Sequence, residues 1–600
     1  MRTGAALLAL AMAAILAARV PAPPQGLAVI GRGWILAPAV SSTRAGYVGV
    51  LVNISLTVIE GRGDVYVSTS PLTDVDMQGS ARAAVRAACS LLGVDCSRYD
   101  FLFHVEADTV IVGGPSAGLV MAVLTSSILS GRPLNRSVMA TGMVAPDGSV
   151  GPVGGILEKA NASARAGARL FLVPLGQSIV VTYVRRERRV GPFIMYTVKP
   201  VTVNLTRYAL ENWGLRVREV VSLEDALEAF LGLKIPRAVE EPVASAAVVE
   251  ACKGVADMLL KAAEESLEKA TAALRSHRLG PLARGYLRGR VEAAGGLLRE
   301  VGGLSDPVLR AARAYQPLAE AEWAWLLASY ALGLDLADYV EELAVNITSS
   351  WSRAGGLAQA FYLAGAEEAL RLAQELWEED VESSLYCLAL ARAYTVAARA
   401  WAESGGDLLL SGVEDRAREF VAEAGHTWSY ASLILREMEL HSLRLRAASV
   451  AYQLAKSALA RGEALRALMH AVRGLSLAEA ALDEAVIKAA GAAKAERLCD
   501  YARRLALRAL PQRPPALLLL LLKLGEESSD LLLRLLAYRY AYNAARAAPV
   551  ALPAREVGAG EVVVNFSLEA WASWLAAAAL AAFLALCVLA VTPKHSLDEG

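Results

Sequence analysis

The sequence predicts an α+β domain over residues 27–234, an all-α region over 247–548 and a single membrane-spanning helix over 569–592. Three observations carry this reading. Up to about residue 221, short runs of alternating apolar and polar residues, broken by Gly and Pro, are interleaved with stretches of helical spacing, the mixture of an α+β domain. Beyond residue 247 the apolar positions Val248, Cys252, Val255, Leu259, Ala263, Leu267, Ala270 and Leu274 recur every three or four residues, one face of a long helix. Near the end, Ala570 to Thr592 carries no charge and is long enough to cross a bilayer.

Taken in order, the chain begins with Arg2 and an apolar run from Gly4 to Ala18. The run suits the core of a signal peptide, with an uncleaved anchor as the alternative for residues 1–26. Strands are expected within 27–75, including Tyr47 to Val58 and Asp64 to Thr69, then a helix from Asp76 to Leu92 and a strand from Phe101 to Val105. Pro115 fits the first turn of a helix, where its missing N–H is not needed, and the apolar run Leu119 to Leu129 continues it. Strands at Ser137 to Met143 and Arg169 to Val173 flank a helix that carries Lys159. Ile179 to Val184 and Phe193 to Val203 read as strands, with the basic run Arg185 to Arg189 as their exposed hairpin tip, and Leu215 to Val221 as the last strand. Ser222 to Asp225 reads as a capping box opening a helix that ends near Gly232. Residues 235–246, with Pro236 and Pro242, form a linker. About ten helices follow, broken by Gly pairs at 295, 302, 355 and 405 and by Pro511 to Pro515, with no fixed repeat period. Residues 549–568 are a tether and 593–600 a short inner tail.

The stretch 104–174 holds the chemistry. Gly113-Gly114-Pro115-Ser116-Ala117-Gly118 places Ser116 where a loop becomes a helix. Free backbone N–H groups there stabilise an oxyanion. A serine nucleophile needs a base, and a lysine serves only if burial favours its neutral form. Lys159 follows a second Gly-rich turn, Gly154-Gly155, among Val153, Ile156, Leu157, Ala160 and Ala162.

Gly114 to Gly118, Thr141-Gly142 and the segment Pro152 to Lys159 stand in the order and with the spacing of the proteolytic domain of Lon proteases, which this stretch resembles over roughly residues 27–233. The resemblance implies a Lon-type fold, a serine–lysine dyad of Ser116 and Lys159, and Thr141 orienting the lysine. Gly114 would help form the oxyanion hole, and His104 would either help line the site or be a half-buried hydrogen-bonded histidine. No cofactor and no metal is implied. The chain departs from the pattern at Gly113, where the family usually has Asp, and at Met143, where it has Glu. Lon domains form rings, so a homo-oligomer is expected by resemblance alone.

Composition bounds the rest. With 60 Lys and Arg against 61 Asp and Glu, no basic footprint for nucleic acid is visible. No G-x-x-x-x-G-K-[ST] loop occurs, so the ATPase module of full-length Lon is not expected. Asn53, Asn135, Asn161, Asn204, Asn346 and Asn565 stand in glycosylation sequons, pointing to a secreted surface. Cys89 and Cys96 read equally well as a bridged pair and as free thiols. Together these features predict an ATP-independent serine endopeptidase acting on polypeptides, held by a C-terminal anchor in the cell membrane with its body outside. The rival reading is an inactive Lon-like surface protein serving as a binding or scaffold module.

Overall fold

A computed structural model describes residues 29–43, 46–73, 76–112, 115–190, 193–236, 241–405, 407–511 and 513–548. Four strands form the first sheet: β1 (Val29–Thr43), β2 (Gly46–Glu60), β3 (Val65–Thr73) and β4 (Tyr99–Val112), in the order β1-β2-β4-β3. β3 and β4 are parallel, joined by α1 (Asp76–Leu92), and the other pairs are antiparallel. Period-two alternation puts Ile54, Leu56, Val58, Phe101, Phe103 and Val105 on one face, where they pack with α1 and α2 (Gly118–Ser130) in a common core. A second, parallel sheet runs β11-β8-β5, from β5 (Val138–Ala140), β8 (Leu170–Pro174) and β11 (Arg216–Val220). The crossover between β5 and β8 carries α3 (Ile156–Arg165). α3 shares a smaller core of Met139, Ile156, Phe171, Val173, Leu205 and Leu215 with α4 (Leu205–Trp213).

Several expectations shift in detail. The basic run Arg185 to Arg189 is not a hairpin tip. It lies inside β9 (Ile179–Val190), whose ladder with β10 (Phe193–Asn204) continues to the pair Val190 and Phe193. Residues 143–151, beyond the expected strand end, form a small hairpin of β6 (Met143–Val144) and β7 (Val150–Gly151). At the start of α5 (Leu223–Leu231) Ser222 makes no side-chain cap. Asp225 Oδ2 accepts the N–H of Val221, the residue before the cap, at 2.9 Å. Cys89 and Cys96 are bonded, bridging the loop after α1.

Among the described residues, every element after residue 245 is helical. Thirteen helices occur among the described residues, from α6 (Ala246–Leu274) and α7 (Pro281–Gly302) through α8 (Pro307–Arg313), α9 (Tyr315–Ala331), α10 (Ala337–Trp351), α11 (Leu357–Leu376), α12 (Val381–Ser404), α13 (Glu414–Glu437), α14 (Leu443–Ala460), α15 (Ala464–Ala490), α16 (Ala492–Ala509) and α17 (Ala516–Glu527) to α18 (Leu531–Ala547). The Gly295-Gly296 pair sits inside α7 rather than ending it, since glycine lowers helix stability by only about 1 kcal/mol per residue.

The expected membrane anchor is corrected. Among the described residues no helix is long and apolar enough to cross a membrane. The apolar residues of the helical region are used against one another: Leu517 to Leu522 of α17 are all buried in the common core. Residues 569–592, to which the spanning helix was assigned, and residues 1–26 lie outside the described residues. The single-pass anchor, and the cell-membrane placement that rested on it, are therefore withdrawn.

The two regions share one hydrophobic core. Met143, Ala145, Leu175 and Val221 belong to the cluster built by the helices. The turn between β6 and β7 makes one of their polar contacts. Asp147 there pairs with Arg539 of α18, which also grips Asp483 of α15 through Nε at 3.1 Å and Nη2 at 2.9 Å. Tyr501 of α16 donates to the Asp147 carbonyl at 2.7 Å. Arg86 of α1 adds bonds to Glu419 at 3.1 Å and Glu423 at 3.0 Å, and Lys494 meets Glu219 at 2.9 Å.

Candidate active site

Ser116 lies in a tight 3₁₀ turn, Pro115–Ala117, that feeds α2. Pro115 is buried and Ser116 half-buried. The turn is fastened to the end of β5. The Ser116 carbonyl accepts the Gly142 N–H at 3.1 Å and the Thr141 hydroxyl at 3.4 Å, and the Leu119 N–H reaches back to the Gly142 carbonyl at 3.0 Å. Thr141 is fully buried and its own N–H is held by Leu172 of β8 at 3.1 Å. Gly142 has φ of 155°, and a Cβ on it would stand 2.8 Å from Val150. Gly118 runs past Val144, where a Cβ would lie 3.0 Å from the backbone nitrogen. The serine turn, the Thr141-Gly142 corner and the β6–β7 hairpin thus form one interlocked unit.

Lys159 lies on α3 and is only 4% exposed. Gly155 opens that helix with φ of 65°, a left-handed position that suits glycine. A Cβ there would also come within 2.3 Å of Val40 of β1. On the other side Gly49 of β2 lets the strand approach α3 so closely that a Cβ would sit 2.0 Å from the Glu158 carbonyl. Ser163, one turn on, donates to the Lys159 carbonyl at 2.8 Å. β1 touches both α3 and the turn that carries Ser116, so the same strand supports both halves of the site. Beside the α3 N-terminus lies a polar cleft of about 330 Å³ lined by Gly154, Gly155, Gln177 and Ile179. Gln177 pairs with the Val153 backbone there as a strand would, accepting its N–H at 3.0 Å and donating to its carbonyl at 2.7 Å.

His104 departs from the other candidates. It is exposed, on the face of β4 opposite the core against which α2 packs, and bonds Ser68 at 3.4 Å. Gly113 and Gly114 lie outside the described residues. Met143, standing where the family has Glu, is buried, and its side chain fills the space over Gly151. Sequence reasoning passed over Gly49 and Asp147. A lone Gly inside a strand pattern signals close approach of another backbone, and Pro146-Asp147-Gly148 is a turn signature, so both were detectable.

Residues 38–187 match the family model of the Lon protease (S16) C-terminal proteolytic domain. The chain is 42% identical over 132 residues to Lon protease 1 of Sorangium cellulosum, covering 21% of this chain and 16% of that protein. It is 41% identical over 132 residues to Lon protease 1 of Herpetosiphon aurantiacus, with the same coverage, and 37% identical over 132 residues to Lon protease 1 of Bacillus subtilis, covering 21% of this chain and 17% of that protein. The match spans about a sixth of the length of these relatives. Within those limits, residues 38–187 carry a proteolytic domain of the Lon serine-peptidase type.

Proposed function

We propose that this chain hydrolyses peptide bonds in polypeptides without nucleotide, with Ser116 as nucleophile and Lys159 as its base. The observation that carries this is the burial of Lys159 on a helix wedged by Gly49 and Gly155 against β2 and β1, of which β1 also touches the Ser116 turn. Burial opposes the charged ammonium, and only the neutral amine accepts the serine proton. In this scheme Ser116 Oγ attacks the substrate carbonyl while Lys159 Nζ takes its proton. The tetrahedral oxyanion is met by the N–H groups of Ser116 and the neighbouring Gly114. Lys159 then returns the proton to the departing amine, and water releases the acyl group from Ser116 by the same steps in reverse. Thr141 acts as a positioning residue through the serine carbonyl. The cleft beside Gly154-Gly155 offers the extended substrate room. Assembly into a homo-oligomer belongs to the same proposal and is read by light scattering of the purified chain.

The test is hydrolysis of an unfolded fluorogenic protein by the wild type, Ser116→Ala, Lys159→Met, Lys159→Arg and His104→Ala, with and without ATP. Both Ser116→Ala and the two lysine variants are expected to lose turnover with unchanged circular dichroism. Arginine fails because it does not deprotonate in this range. His104→Ala retains activity, and the wild-type rate rises with pH without the limb near ~6.5 that a histidine base gives. Full activity in Lys159→Met, or an absolute need for ATP, refutes the mechanism. An inert wild type that no serine-reactive probe labels favours the binding or scaffold reading.

A further inference from the structure

A cavity of about 160 Å³ lies inside the helical region, among α11, α12, α14, α15, α17 and α18. Leu477, Leu521, Leu533 and Leu536 give it aliphatic walls. A connected group of rings completes them. Between ring centroids, Tyr394 stands 5.4 Å from Tyr315 and 5.9 Å from Tyr362, and Phe361 stands 6.0 Å from Tyr362 and 5.2 Å from Tyr540. These rings meet tilted or edge-on, the geometry that aromatic pairs prefer and that one more ring can extend. Leu372, Leu443 and Leu524 also line the space yet stay partly exposed, so the way in is aliphatic. An apolar cavity of this order holds a guest about the size of benzene.

Three charged residues also stand in the wall, and each is matched to a partner of opposite charge. Both oxygens of Glu368 are engaged, one by His470 Nδ1 at 2.9 Å and the other by Arg473 Nε at 2.7 Å. The Arg473 guanidinium lies 4.9 Å from the Phe361 ring centre and 5.3 Å from that of Tyr540. Gly365 makes room for it, since a Cβ there would stand 3.0 Å from its Cζ. Arg444 donates from Nη1 to Glu484 at 2.6 Å, and its Nε and Nη2 atoms have almost no accessible surface, so it opens no donor edge onto the space. An ion entering the cavity would lose its hydration without a new partner, which is costly. An anion would meet the Glu368 carboxylate, and a cation would meet the charge of Arg473 and Arg444. A neutral ring has little hydration to lose and gains apolar and aromatic contacts.

We infer that this cavity is a binding site for an uncharged one-ring aromatic molecule of the substituted-benzene class, packed against the rings of Phe361, Tyr362, Tyr394 and Tyr540. Its selectivity is against charge of either sign. Every residue of its wall belongs to the helical region, so the site is separate from the peptidase chemistry proposed above and does not depend on it.

The test is calorimetric titration of the full chain with toluene, and with benzoate and benzylammonium as charged counterparts of similar size. Toluene is expected to bind saturably and to raise the melting temperature with its concentration. Both ions are expected to bind at least roughly tenfold more weakly. Ala447→Phe, at a half-buried position of the wall, and Leu536→Phe, deeper in it, each fill the space and are expected to lose toluene while still melting cooperatively. Because a filled core can fail to fold, the guest is also located without mutation: in crystals of the wild type soaked with bromobenzene, anomalous scattering should place the bromine among Phe361, Tyr362 and Tyr540. The site is overturned if toluene does not bind saturably, if either ion binds as tightly, if a folded filled variant binds unchanged, or if the bromine lies elsewhere.

Discussion

At the scale of single residues, the site depends on what is missing as much as on what reacts. Gly49 has no Cβ, and adding one meets a backbone carbonyl at 2.0 Å, which no side-chain adjustment relieves. Gly49→Ala is therefore expected to push α3 away from β2. The expected result is a stability loss of about 1–3 kcal/mol by urea unfolding and a fall in turnover of roughly a hundredfold, since small misplacements of a catalytic group are that costly. A second residue-scale expectation concerns His470. Both of its ring nitrogens face carboxylates, Glu368 at 2.9 Å and Glu367 at 3.0 Å. Burial alone would lower its pKa, but those bonds outweigh it and raise it. Burial likewise pushes Glu367 up, yet His470 and Arg466 hold it at about 2. The raised histidine contributes stability in full below its unfolded value of ~6.5, and that share is lost as pH rises through the folded value. The depressed Glu367 contributes above its unfolded value of ~4.3, and loses that share as pH falls toward about 2. Denaturation from about pH 5.5 to about pH 9 should show wild-type stability falling, with a flatter profile in His470→Gln. Ser116, Thr141 and Lys159, the residues of the proposed site, are named in order by short sequence motifs. The partners of His470 are not, because nothing in the local sequence around residue 470 encodes what another helix, a hundred residues away, places beside it.

At the scale of elements, the β6–β7 hairpin matters most. It begins beside the Thr141-Gly142 corner that holds the serine turn and ends in Asp147, clasped by Arg539. The two halves of that clasp are unequal. Asp147→Ala leaves Arg539 still paired with Asp483 and should cost about 1–3 kcal/mol. Arg539→Met leaves two buried carboxylates without their cation and should cost about 3–5 kcal/mol, measured by chemical denaturation of both variants. Long elements with strong periodicity, such as α1 over Asp76–Leu92, were readable with their ends. Two-residue strands such as β6 and β7 carry too few positions for alternation to show. Charge alone does not mark a turn: the run Arg185 to Arg189, which reads as a hairpin tip, is paired residue by residue with β10.

At the scale of the whole molecule, the peptidase region does not own all of its core. Met143, Ala145, Leu175 and Val221 are buried by the helices. A fragment ending at Pro236 is expected to melt lower than the same region in the full chain and to expose apolar surface, read by dye binding and scanning calorimetry. A lone transition in the full chain would match the shared core, and two well-separated transitions would contradict it. This dependence was hidden from a reading that drew a boundary at residues 235–246, because composition changes there while contacts do not stop. The partners in the clasp, Asp147 and Arg539, are 392 residues apart in the chain. A ribosome adding ~5–20 residues per second needs roughly 20–80 s to travel from one to the other. During that interval a newborn chain already holds Ser116, Thr141 and Lys159 but lacks the helix that steadies their hairpin. A chain stalled soon after Pro236 should therefore be sensitive to trypsin and silent toward a fluorogenic protein, while one carried past Ala547 and released should be resistant and active. On the proposed function, this timing would hold back cleavage until the chain's own synthesis is nearly finished.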